Sequence, residues 1–67
     1  MDKAGEIARL DRERIEVRLS HAKLCKLAQV DTSTWWRNRQ NPETITLDTI
    51  DKLESAIRAK RAEVVPA

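Results

Sequence analysis

Leu47, Ile50, Leu53, Ala56 and Ile57 recur at the three- and four-residue spacing of one helix face, the cleanest such stripe in the chain. Thr46 before it carries an N-cap side chain, Asp48 sits in the first turn, where a carboxylate meets the positive end of the helix dipole, and Ile45 can staple onto Ile50. With Arg58, Lys60 and Arg61 near the far end, the pattern predicts a helix over residues 47–62. A weaker stripe of Ala4, Ile7, Ala8 and Leu10, capped by Asp2, predicts a first helix over residues 2–17. In it, Arg14 stands where an apolar residue is expected and Ile15 lies off the line. The interleaved Arg9, Asp11, Arg12, Glu13, Arg14 and Glu16 read as a solvated, ion-paired flank worth tenths of a kcal/mol per pair; a partner-helix surface is the alternative. Ser20 then caps a short helix over residues 21–28, with Leu24, Leu27 and Ala28 inward and Cys25 beside them. Lys23 and Lys26 fall on its open side, and His21 at its start is expected to be exposed.

Gln29 and Val30 turn the chain into a fourth helix, over residues 32–40, which differs from the others in having a polar outer face. Asp31 is its expected N-cap. Asn41, which tolerates the left-handed conformation, and Pro42, which cannot continue the ladder, are its expected stop. At about 100° per residue, Thr32, Trp36, Arg39 and Gln40 share one face, with Ser33 and Arg37 flanking it and Thr34, Trp35 and Asn38 opposite. No acid lies among them. Arg and Gln present paired hydrogen-bonding edges that match guanine and adenine in the major groove. The alternative is an ordinary solvated helix whose tryptophans serve packing.

Composition narrows what such a helix can belong to. Sixty-seven residues bury one small core, and 40% hydrophobic with 36% charged residues, one Gly and two Pro describe a globular chain. No apolar run is longer than two residues, so neither a membrane span nor a signal-peptide core is expected, and the expected location is cytoplasmic, at the nucleoid. Cys25 has no partner for an internal bridge, and no Cys/His cluster has metal-ligand spacing. A lone His21, one thiol and no paired acids make no active site, so no catalytic residue, cofactor, metal or small-molecule substrate is expected. The formal net charge of +2 is unevenly spread. Between Arg18 and Asn41, the bases Arg18, Lys23, Lys26, Arg37 and Arg39 face only Asp31; between Pro42 and Ile57, Glu43, Asp48, Asp51 and Glu54 face only Lys52. The middle of the chain is the anion-seeking part. Residues 1–63 read as one domain, with residues 64–67 as a tail or the start of a linker.

The run Leu19-Ser20-His21-Ala22-Lys23-Leu24-Cys25-Lys26-Leu27-Ala28-Gln29-Val30-Asp31-Thr32-Ser33-Thr34-Trp35-Trp36-Arg37, with Pro42 and Thr46-Leu47 after it, resembles the phage repressor/Cro-type helix-turn-helix family. The resemblance covers residues 19–57, agreeing in order, spacing and residue type across three helices. It departs at Gln29, where the family has a turn glycine, and at Asn38, where it often has a half-buried Trp; Trp35 takes the family's inward apolar slot. The resemblance implies an all-α, compact four-helix, lambda-repressor-like domain that binds double-stranded DNA as a sequence-specific transcriptional regulator. It also implies base reading by Thr32, Ser33, Trp36, Arg37 and Gln40. His21, Lys23, Lys26, Arg39 and Asn41 are then expected on phosphates, with the amide groups at the start of the 21–28 helix. For Trp36 the alternative is folding back over the domain. Three settings remain open: a stand-alone regulator pairing with a second copy on a palindrome, the DNA-binding module of a longer regulator, or a protein–protein adaptor or antitoxin that keeps the fold.

Overall fold

Asp2 starts the first helix by accepting a hydrogen bond from the Gly5 amide at 3.1 Å, which satisfies one of the free donors of the first turn. In the structure, a computed structural model that describes residues 2–64, this helix is α1, Lys3–Glu16. It is followed by α2 (His21–Ala28), α3 (Thr32–Gln40), a 3₁₀ turn (Pro42–Thr44) and α4 (Leu47–Val64). The described residues are all-α, with no strand. Residues 65–67 of the expected tail lie outside them. α4 runs two residues past its expected end at residue 62, through Val64, because Ala62 and Glu63 are good helix formers.

α1 and α2 end in the same way. After α1, Leu19 N–H bonds the Arg14 carbonyl and Arg18 N–H bonds that of Ile15, both at 3.0 Å. After α2, Val30 N–H bonds the Cys25 carbonyl at 3.0 Å and Gln29 N–H that of Lys26 at 3.3 Å. Such nested pairs require a left-handed residue between them, and Arg18 (φ 61°) and Gln29 (φ 59°) supply it despite carrying a Cβ. Each is followed by an apolar residue turned inward, Leu19 into the core and Val30 against it. The conformation of Gln29 matches the turn expected there; that of Arg18 has no sequence signal, because neither Gly nor Asn marks the position.

α3 departs from expectation at both ends. The Asp31 backbone is at the N-cap, but its side chain makes no capping bond. Asn41 is not left-handed (φ −134°, ψ 89°), because the ring of Pro42 holds the residue before it extended. Pro42 opens the 3₁₀ turn, and Thr44 closes it on the Asn41 carbonyl through its amide (3.0 Å) and its hydroxyl (2.7 Å). α4 begins as expected, with Thr46 Oγ1 accepting from the Thr49 amide at 3.1 Å and Ile45 and Ile50 both buried.

Trp35, Leu10, Leu24, Ile45, Leu53 and Ile57 are the most completely enclosed side chains of the core, joined by Ile7, Val17, Leu19, Cys25, Ala28, Ile50 and Ala56. α2 packs on α4 and on α3, while α1 packs on α4 and on the 3₁₀ turn. Several expected core positions are exposed. Leu27 (54% exposed) loses its place because α2 turns the Leu24–Cys25–Ala28 arc inward, and Leu47 (58%) lies in the first turn of α4, about 120° around the helix from Leu53. Ala4 and Ala8 also face solvent. Arg14, which interrupts the apolar stripe of α1, occupies its inward line: its Nη1 donates to the Leu19 carbonyl at 2.7 Å and its Nε to Asp11 at 3.0 Å. The charged flank does more than meet solvent. Arg9 bridges Glu6, Glu13 and, on α4, Glu54 (2.7, 2.9 and 3.2 Å), and Arg61 of α4 reaches Glu16 at 3.2 Å.

Candidate nucleic-acid interface

Trp35 and Asn38 anchor α3 from below. Trp35 is fully enclosed, and Asn38, 2% exposed, donates through Nδ2 to Thr44 Oγ1 at 2.9 Å, tying the end of α3 to the 3₁₀ turn. With those two side chains inward, the helix presents Thr32, Ser33, Trp36, Arg37 and Gln40 to solvent, with Asn41 beyond them. All five expected base-reading residues therefore lie on the exposed surface of one nine-residue helix that carries no acid. Lys23 and Lys26 are exposed as expected, and they border the cleft between α2 and α4 together with Leu27, Lys60 and Glu63.

His21 and Arg39, both expected to meet phosphate, are engaged within the chain. Trp35 Nε1 donates to His21 Nδ1 at 3.0 Å, and His21 is half-buried rather than free. An indole N–H only donates, so Nδ1 is the acceptor of this bond and carries no proton. Arg39 Nη1 meets Asp11 Oδ1 at 3.0 Å and lies 3.2 and 3.0 Å from the two His21 ring nitrogens. The Arg39 guanidinium carbon sits 5.2 Å from the Trp36 ring centroid and 5.7 Å from that of Trp35, within the range of a cation–π contact. The His21 and Trp36 rings are 5.0 Å apart at 51°. Helical spacing put Arg39 on the outer face, and the structure leaves it half-buried. Spacing could not show that Asp11, from α1, reaches across to take it.

The same Asp11 oxygen receives Arg14, whose Nη2 lies 2.9 Å away. Asp11 and Arg14 are the two members of this cluster that the sequence did not mark for the site; an arginine on the inward line of α1 was the available signal. Burial works to raise the Asp11 carboxyl, but the Arg14 hydrogen bond and the charges of Arg39 and Arg14 outweigh it and hold it below the ordinary aspartate value. Burial pushes His21 below the ordinary histidine value, helped by the charges of Arg14 and Arg39 and opposed by Asp11. Burial raises the Cys25 thiol, which leaves it a packing group.

No family model, curated protein or solved structure matches the chain. The functional reading therefore rests on the surface itself. α3 offers a guanidinium, an amide and two hydroxyls as hydrogen-bonding groups, and a half-exposed indole as an apolar one. Its buried anchors hold these groups on one rigid element. Among the described residues no helix is long and apolar enough to cross a membrane.

Proposed function

We propose that the chain binds double-stranded DNA through the outer face of α3, as a sequence-specific regulator of the phage repressor/Cro type. The observation that carries this reading is the exposure of Thr32, Ser33, Trp36, Arg37 and Gln40 on an acid-free helix whose inner face is locked by Trp35 and Asn38. In this reading α2, the left-handed turn at Gln29 and α3 form a helix-turn-helix of a lambda-repressor-like domain. A helix is about 10–12 Å across with its side chains and so fits a major groove about 12 Å wide, and the nine residues of α3, at about 1.5 Å each, give it roughly 13 Å to lay along the bases. Arg37 pairs with the two acceptors of guanine and Gln40 with the donor–acceptor edge of adenine. Trp36 and the Thr32 methyl meet thymine methyls, and Ser33 serves either base type. Lys23, Lys26, Asn41 and the first amides of α2 hold phosphates, and a second copy occupies the other half of a palindromic site. Arg39, committed to Asp11, shapes the surface instead of clamping the backbone.

The test is selection of bound duplexes from a random pool, followed by a salt titration on the recovered site. The expected result is a recurrent motif whose binding falls steeply with salt, with a log–log slope of about −0.9 per phosphate contact. Failure to enrich any motif, together with affinity for scrambled duplex equal to that for every selected clone, would sink the sequence-specific reading.

A further inference from the structure

Trp36 is the largest side chain on the outer face of α3, and it is 45% exposed, yet its orientation is not left to solvent. Arg39 lies one turn further along, with its guanidinium carbon 5.2 Å from the Trp36 centroid, and His21 closes another side at 5.0 Å. A long arginine stacked on an exposed ring samples many rotamers unless its far end is fixed. Here it is fixed from another helix, because Arg39 Nη1 is held 3.0 Å from Asp11 Oδ1 on α1. That carboxylate is itself held by Arg14 Nε and Nη2 at 3.0 and 2.9 Å, and Arg14 is anchored on the Leu19 carbonyl at 2.7 Å. The chain of contacts runs from the end of α1 to the indole without a gap.

We propose that Asp11 is the positioning residue of the α3 surface: through Arg39 it holds the Trp36 indole in one orientation, so that an acid remote from the groove sets selectivity. The role in selectivity rests on the DNA-binding reading; the hold on the indole does not. Two variants separate this from a loss of fold. Asp11→Asn keeps the shape and removes the charge, and Arg39→Gln breaks the tie while leaving the Asp11–Arg14 pair in place.

Acrylamide quenching of tryptophan emission, without DNA, reads the indole directly. The expected result in both variants is increased quenching of the Trp36 component, with Trp35 still protected and the thermal transition still cooperative. Asp11→Glu should restore protection. With the selected duplex, the ratio of specific to scrambled affinity should fall by about tenfold in both variants, the size of one good base contact, while scrambled affinity is retained. Unchanged Trp36 quenching in either Asp11→Asn or Arg39→Gln overturns the proposal, whatever DNA binding does. Increased quenching with selectivity intact overturns the role in recognition. Should the wild type bind no DNA, the DNA-binding reading fails separately, and the quenching measurement still decides whether Asp11 holds the indole.

Discussion

Trp35 joins three jobs at one residue: it fills the centre of the core, fixes the inner face of α3, and spends its only donor on His21 Nδ1. Replacing it by Ala should cost about 3–5 kcal/mol, the range for deleting a large buried aromatic. Domains this small are stable by little more than that, so Trp35→Ala is expected to be largely unfolded by circular dichroism at 25 °C. A variant melting within a few degrees of wild type would show that the core does not depend on this ring. Arg18 and Gln29 present the opposite case, residues whose backbone is strained in the fold. Each adopts a left-handed conformation at a price of about 1 kcal/mol for a residue with a Cβ, which glycine would not bear. Relief of that strain is offset by the greater flexibility of the unfolded glycine chain, about 0.5–1 kcal/mol, so Arg18→Gly and Gln29→Gly are each expected to be neutral to stabilising, by about 0–0.5 kcal/mol. Urea denaturation midpoints check this, and the effects should add, since each residue lies at the end of a different helix.

At the scale of elements, the helices were legible and their surroundings were not. Apolar spacing with the caps Asp2, Ser20 and Thr46 places all four helices to within two residues, because those signals are local. The five outward residues of α3 were legible for the same reason: one turn of helix fixes which side chains point together. What periodicity cannot see is which neighbour covers a face. Leu27 and Leu47 fit their stripes and are exposed because no element covers them, while Arg14 breaks its stripe and is retained because the Leu19 carbonyl and Asp11 satisfy it. Arg39 shows the same gap from the other side, since its partner lies on α1, 28 residues away in sequence. Arg37 has no such partner among the described residues and is exposed, which leaves its guanidinium available to a ligand. If it reads guanine, Arg37→Ala should keep the fold and most non-specific affinity, and lose about 1–3 kcal/mol of discrimination at one base pair per half-site. Lys at that position should not restore it fully, because a point charge lacks the planar fork. Binding to the selected site, its single-base variants and scrambled duplex at one salt concentration distinguishes the two roles: a uniform loss would make Arg37 a phosphate contact.

For the whole molecule, the cluster around His21 matters because it joins α1, α2 and α3, the last of which is otherwise attached mainly through α2 and the 3₁₀ turn. It also links stability to pH with a definite sign. In the folded chain His21 accepts from Trp35 through an unprotonated Nδ1, and burial with the charges of Arg14 and Arg39 keeps its pKa below the ordinary value of about 6.5. As pH falls through that ordinary value, the unfolded chain takes up a proton that the folded chain refuses. The unfolded state then binds more protons, so stability rises with pH across this window and is lost on acidification, until the folded His21 is protonated as well. Asp11 acts lower down: its depressed carboxyl contributes stability that disappears only as pH falls below the ordinary aspartate value towards its own. His21 is the only histidine in the sequence, so between about pH 7 and pH 5 its titration dominates among side chains. Urea midpoints measured across that interval should decline for the wild type and stay nearly level for His21→Gln, whose side-chain oxygen can still accept from the indole but cannot titrate. The two proteins should diverge in slope, whatever their difference at neutral pH. Equal slopes would place the proton uptake elsewhere and remove His21 from the acid sensitivity of the fold.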